Sequence, residues 1–211
     1  NDDPGLVELI HEETITPDSE GYAKLSVDGL CPGTWYRYGY FEGNPDDFTY
    51  RSRLGEFRTA IEEDALETLT VAISACNGDE LEWPSLDYTA DEYYDMFLHL
   101  GDMAYNDGME TLEEFRANWR DWLSTPDYRR AFANSGMYAT WDDHDFGRND
   151  TDGNLEGKEN SRRAFIEAHN NPSYGNGEEG IYTTFRVGDI QVFLLDTRYF
   201  AATEPSPFDV D

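Results

Sequence analysis

The hydrophobic positions change their period along the chain. From residue 4 to residue 60 they alternate with polar positions in short stretches: Val7-Glu8-Leu9-Ile10, then Tyr22 to Val27, then Trp35, Tyr36, Tyr38, Tyr40 and Phe41, then Gly55 to Thr59. Asp28-Gly29 supplies a turn between them. Period-two alternation bounded by turn residues predicts antiparallel strands. A closed β-sandwich uses about seven strands, so residues 1–60 read as part of an all-β module that begins mid-way at Asn1. Residues 61–67, Ile-Glu-Glu-Asp-Ala-Leu-Glu, read as a linker.

From residue 68 the pattern is different. Leu69 to Ser74 is almost continuously apolar, as expected of a strand in a sheet covered on both faces. Met96 to Leu100 is a second such run, ending in Gly101-Asp102, and Met137 to Trp141 is a third. Between 111 and 135, Leu112, Phe115, Trp119, Trp122 and Leu123 recur at helical spacing, with a break near Pro126. Lys158 to His169 predicts another helix, and 181–187 with 190–195 a hairpin turned at Gly188-Asp189. Strands alternating with helices predict an α/β domain over 68–211.

Composition narrows the partners. The 211 residues carry 45 Asp+Glu against 15 Lys+Arg, a formal charge of −30. Such a surface repels nucleic-acid phosphates and anionic membrane alike. No run approaches the ~20 apolar residues of a membrane span. With 38% hydrophobic and 15% aromatic residues the chain still has the material for a packed core. That much carboxylate destabilises a compact state unless cations are abundant, in saline or calcium-rich surroundings or as bound metal. Two cysteines, Cys31 and Cys76, are too few for a disulfide scaffold and either form one bridge or have separate jobs.

The chemistry gathers at strand ends. Cys76-Asn77 follows the first apolar strand, Asp102 and Tyr105 the second, and Asp142-Asp143-His144 the third. In open α/β sheets ligands collect at the carboxyl ends of strands, and Cys, Asp, Tyr and His on loops there suit a metal site. Any single Asp in so acidic a chain could merely solvate a loop, and Cys76 or Tyr105 alone could be packing. The run Trp141-Asp142-Asp143-His144-Asp145-Phe146-Gly147-Arg148-Asn149-Asp150 is harder to read that way, because its crowded carboxylates repel unless a cation compensates them. It is not an EF-hand: acids alternate at Asp150 and Asp152, but Leu155 occupies the position that needs Gly. Asn149-Asp150-Thr151 is a formal glycosylation sequon, ill-placed for a sugar beside the acidic run.

Ser74-Ala75-Cys76-Asn77, His99 to Tyr105, Thr140 to Asp150 and Leu195-Asp196-Thr197-Arg198 occur in the order found in PhoD-like alkaline phosphatases, and the chain resembles that family over nearly its whole length. The resemblance extends to Leu30-Cys31-Pro32-Gly33-Thr34-Trp35-Tyr36-Arg37-Tyr38, which is similar to the fibronectin-like domain preceding the catalytic domain in that family. It implies the first half of a four-layer α/β/β/α metallophosphoesterase sandwich and hydrolysis of phosphate mono- and diesters with Ca2+ and Fe3+, other divalent ions being substitutes. Carried onto this sequence, Cys76, Asp102 and Tyr105 would be iron-side ligands and Asp102 would bridge to a second ion. Asp142 or Asp143, with Asn149, would hold calcium; His144 would meet the phosphate, and Arg148 would stabilise developing charge or pair with a neighbouring Asp.

Those residue types suit the task. Thiolate and phenolate donate strongly to ferric iron, calcium takes hard oxygens, and a two-metal clamp stabilises attacking and leaving oxygens together. The family supplies further His and Asp ligands after the Leu-Asp-Thr-Arg strand, where this sequence has none; His11 and His169 are poorly placed to replace them. The expectation is therefore an incomplete piece of a secreted, extracellular or periplasmic phosphoesterase. Its partner is the remaining C-terminal part of the enzyme, carried on another chain or on a continuation of this one, and its bare strands are open to self-association. The alternative is a non-catalytic, cation-binding structural or surface-assembly protein on the same scaffold.

Overall fold

In the computed structural model, residues 8–44, 47–78 and 83–202 are described. At the centre stands a three-stranded parallel sheet in the order β5-β6-β7, formed by Val71–Ser74, Met96–His99 and Gly136–Ala139. β6 is buried at every position. Its alternation sends Phe97 and His99 to one face and Met96 and Leu98 to the other.

Helices cover the first face. α2 (Leu112–Ser124) starts at Thr111, whose hydroxyl accepts from the Glu114 amide while Glu114 reaches back to Thr111. α3 (Pro126–Phe132) opens on the proline that ends α2, and α5 (Lys158–Ala168) lies alongside α2. Their inward residues Phe115, Trp119, Trp122, Tyr128 and Phe165 close a core with Phe97, Trp141 and Phe146. A hairpin, β8 (Thr183–Val187) and β9 (Ile190–Leu194), packs on the other face, where the rings of Tyr138 and Phe185 stack at 4.2 Å. Helices, parallel sheet and hairpin thus form a mixed α/β fold. The predicted helices, the hairpin and its turn at Gly188-Asp189 are present.

Several expectations change. β5 is an edge strand, half-buried, with Ile73 63% exposed, so the first apolar run is not covered on both faces. Two short helices lie where none was expected: α1 (Pro84–Thr89) and the four-residue α4 (Asp143–Phe146). Among the described residues of the N-terminal region strands form at β1 (Trp35–Tyr38), β2 (Phe41–Asn44), β3 (Asp47–Arg51) and β4 (Gly55–Arg58), paired as two antiparallel ladders, β1-β4 and β2-β3. The alternating stretch 22–27 makes no strand, and neither does 8–10; Val7, which began that predicted strand, lies outside the described residues. Instead the loop at 18–24 is strapped across the helical face. Lys24 Nζ donates to the carbonyls of Ile166 and His169 at the end of α5, and Glu20 pairs with Arg116 and Arg120 of α2. A local hydrophobic alternation without a partner strand has lost to ion pairs and a helix end that wants a cation. Both cysteines are free thiols.

The segment between the regions is pinned at one end. Ile61 is buried beside Val187, and its carbonyl accepts from the Gly188 amide. Arg58 crosses from β4 to bind Asp95 (2.8 Å) and Glu67, while the other oxygen of Asp95 takes the Thr70 amide.

Candidate metal centre

The polar clusters lie where the strand-end argument put them, beyond the carboxyl ends of β5, β6 and β7. Backbone pairing zips the loops together: the amides of Cys76 and Asn77 donate to the carbonyls of Gly101 and Asp102. Gly101 has φ +110, and a Cβ there would stand 2.5 Å from the Cβ of Asp142. Only glycine lets the loop after β7 come this close to the loop after β6. Cys76 and Asp102 themselves sit in the left-handed region, at φ 56 and 53.

The result is a compact ligand set. One ligand atom each from Asp102, Asp143 and His144 lies within 4.8 Å of the others. The Cys76 thiol, exposed at the rim, donates to Asp102 Oδ2 at 3.3 Å. Tyr105 is half-buried; its hydroxyl accepts from the Gly78 amide and its ring packs 4.4 Å from that of His144. Asp102 Oδ1 is buried and without a hydrogen-bond partner among the described residues. A buried carboxylate oxygen is costly to leave unpaired, and Asp102 stands with two further ligand residues. The residues fit a cation.

The electrostatics agree. Burial, opposed by the Cys76 hydrogen bond and reinforced by Asp143 and Asp142, raises the Asp102 carboxyl above its ordinary range. Partial desolvation, then the Asp102 hydrogen bond and the neighbouring carboxylates, push the Cys76 thiol up to about 11. For His144 burial acts downward, but the hydrogen bond and charge of Asp107 outweigh it, with help from Asp102 and Asp143, and the ring is raised. Each group is driven to hold a proton, Asp102 and Cys76 first by burial and His144 by its carboxylate neighbours; a metal ion would oppose that preference.

The remaining sequence candidates fall at different distances from this set. Asp142 is held by Arg198, whose Nε donates to it, whose second nitrogen reaches Asp143 at 3.5 Å and whose third reaches the Thr151 carbonyl. Asn149 is exposed, with its amide turned onto Asp150 and its backbone N–H on Asp107. Arg148 is exposed and pairs with no carboxylate among the described residues.

Residues that were not singled out from sequence prove central. Asp107 accepts from His144 Nδ1 at 2.7 Å and so fixes the ring. Asp145, 1% exposed, lies under the cluster: one oxygen takes the amides of Asp102 and Asp142, the other those of Met103 and Ala104. Asp196 takes the amides of Arg198 and Tyr199 and the Trp141 indole, which aims Arg198 at the site. Asp145 and Asp196 stand inside the segments that carry the family resemblance, which was the available signal for them. Asp107 had none.

The family model of PhoD-like phosphatases matches residues 71–209. The chain belongs to that family. Among solved structures it is similar to one described as the structure of PhoD, with TM-score 0.69 and 22% identity over 82% of this chain and 39% of that one. It is also similar to purple acid phosphatase PPD1 from yellow lupin (Lupinus luteus) seeds, with TM-score 0.56 and 17% identity over 80% of this chain and 32% of that one. At those identities the likeness is one of fold, and the chain spans well under half the length of either structure. No curated protein matches it. No helix among the described residues is long and apolar enough to cross a membrane.

Proposed function

We propose that this PhoD-like chain carries one side of a metal-dependent phosphoesterase site, acting on phosphate mono- and/or diesters. The observation that carries the reading is the buried, unpartnered oxygen of Asp102, a residue that offers a ligand atom within 4.8 Å of those of Asp143 and His144. Asp102, Cys76 and Tyr105 would hold a ferric ion. Asp102 and Asp143 would face a calcium ion. Asp143 rather than Asp142 would be the ligand of the pair, because Asp143 lies in the close set with Asp102 and His144, whereas Asp142 accepts from Arg198 Nε and Arg198 reaches Asp143 only at 3.5 Å. Asn149 would join only by giving up its hydrogen bond to Asp150.

The bound ions would supply Lewis-acid polarisation of the ester and a nucleophile at mild pH. The chain's own groups do the rest. His144, anchored through Nδ1 by Asp107, holds a proton readily and presents its other ring nitrogen for the leaving oxygen. Arg148, with its guanidinium uncommitted among the described residues, is the group to meet a phosphate oxygen. A formal charge of −30 would otherwise turn such a substrate away.

The finer architecture belongs to the same proposal: the three layers are part of a four-layer sandwich, and the N-terminal ladders are part of a fibronectin-like module. The exposed Ile73, Phe193 and Leu195 then mark sheet surface that further strands of the domain would cover. A secreted location, where calcium is plentiful, suits both the charge and the site.

Iron loading tests the reading directly. The loaded protein should show a visible phenolate- or thiolate-to-iron band that Tyr105→Phe shifts or removes, with calcium also found by elemental analysis. A colourless protein that takes up neither ion overturns the proposal.

A further inference from the structure

Asp145 is the feature that the proposed chemistry does not use and that the geometry makes hardest to ignore. Its carboxylate is enclosed, 1% exposed, and meets no cation; among the described residues each of its contacts is a main-chain amide. Three come from consecutive residues of the loop after β6: Asp102 at 2.5 Å, Met103 at 2.9 Å and Ala104 at 2.7 Å. The fourth, Asp142 at 3.1 Å, opens the loop after β7. One oxygen, Oδ2, is shared between Asp102 and Asp142, so a single atom ties the backbones of the two ligand-bearing loops. The Asp145 carbonyl accepts from the side-chain amide of Asn106, whose backbone N–H donates to the His144 carbonyl.

This bracket holds Asp102 in its unusual conformation. A non-glycine residue at φ 53 costs free energy that the surroundings must offset, and the amides on either side of that residue's plane are the ones Asp145 collects. The bracket also sets how far the Asp102 carboxylate stands from Asp143 and His144, since those two lie on α4 with Asp145 itself.

We infer that Asp145 is a positioning residue: it sets the spacing of the cation ligands by clamping the loop of Asp102 to the loop of Asp142 and Asp143, without touching cation or substrate. The inference rests on the metal-site reading above. It requires an acceptor on both oxygens. In Asp145→Asn, one of them becomes an NH2 group pointed at N–H donors, so the loops separate although size and shape are kept. Removing a residue that orients metal ligands from outside typically weakens metal affinity by about 10–100-fold.

The experiment is a calcium titration, by calorimetry, of the whole chain as wild type, Asp145→Asn and Phe132→Ala. The last trims a partly buried ring of the helix-covered core and serves as a variant of lowered stability in which every cation ligand and Asp145 are retained. Expected are an at least tenfold loss of calcium affinity in Asp145→Asn and an unchanged affinity in folded Phe132→Ala. Equal affinity in wild type and folded Asp145→Asn overturns the positioning role alone. A wild type that binds no calcium overturns the metal-site reading, and this inference with it. Hydrogen exchange on the wild type covers the case in which Asp145→Asn does not fold. The amides of Asp102, Met103 and Ala104 should exchange as slowly as those of β6 and slow further with calcium. Exchange at the rate of an open loop, or indifferent to calcium, overturns the clamp.

Discussion

On the helix-covered side of the parallel sheet, Phe97, Trp119, Tyr128 and Phe165 are each at most 1% exposed; in the N-terminal ladders, Tyr38, Tyr40, Phe41, Phe48 and Tyr50 keep between 38% and 57% of their surface in solvent. Both regions are rich in aromatics and both contain strands. The difference is what lies above the strand. β6 has a neighbour on each edge, helices on one face and a hairpin on the other, whereas each N-terminal ladder has two strands. A two-stranded ribbon is too narrow to enclose a ring. Aromatic content therefore measures a capacity for burial, and layering decides whether it is realised.

The contrast can be broken or sharpened by substitution. Trp119→Ala should destabilise the helix-covered region by about 3–5 kcal/mol, read as a drop in the urea midpoint, because the lost ring leaves a cavity among rigid neighbours. A loss below about 1 kcal/mol would mean that this core is not the source of stability.

Arg58→Met comes next. It strands Asp95, whose side chain is 3% exposed, without its cation, while Glu67 is freer to turn to water. Breaking one partner of a buried pair costs about 3–5 kcal/mol, and the partial exposure of this site argues for the lower end, about 3 kcal/mol. Because Arg58 links the regions, the variant should split one unfolding transition into two. A single transition at the wild-type midpoint would show that the ladders are held elsewhere.

Acid should act on the helix-covered region through its histidines. Burial, then the charge of His169, lowers His99 to about 3; burial, opposed by the Phe165 carbonyl, lowers His169 to about 4. In the unfolded chain both titrate near 6.5. Between pH 6.5 and 5 the unfolded state therefore takes up protons that the folded state refuses, and stability falls as pH drops. The loss is about 2 kcal/mol per histidine by pH 5. His169→Gln should flatten that slope by about half. Buried Asp145, raised to about 7, works in the opposite sense in both proteins, so the comparison is between variants: a pH 7-to-5 stability change that is the same in wild type and His169→Gln would contradict the burial of that ring.

Tyr50→Ala should have the smallest effect, within about 0.5 kcal/mol, since the ring is already 57% exposed. A larger loss would show that the ladders carry a core of their own.

Legibility followed the same divide. Helices α2, α3 and α5 and the hairpin β8-β9 could be read because their apolar spacing matches the faces they bury. The stretch 22–27 alternates just as clearly and forms no strand, since alternation states what a strand could bury and not whether a partner exists. α4 reads as a polar loop because a helix of four residues has no room for an apolar stripe. In the site, Asp102, Asp143 and His144 were visible through their motifs. Asp145 and Asp107 act on main-chain amides and on one ring nitrogen, contacts that impose no spacing rule on the sequence. Arg198 stood within a quoted motif, but its role depends on the hairpin bringing residue 198 back over residues 142 and 143.

The strap at 18–24 bears on how such a protein could be shuffled by recombination. A crossover near residue 60 would join a foreign module to the parallel sheet and discard Lys24 and Glu20 with the rest. The carbonyls of Ile166 and His169 would return to water, Arg120 would lose its ion pair, and Asp95 would be left enclosed without Arg58. Two stretches that look exchangeable by composition are thus inherited together, tied by a handful of charges.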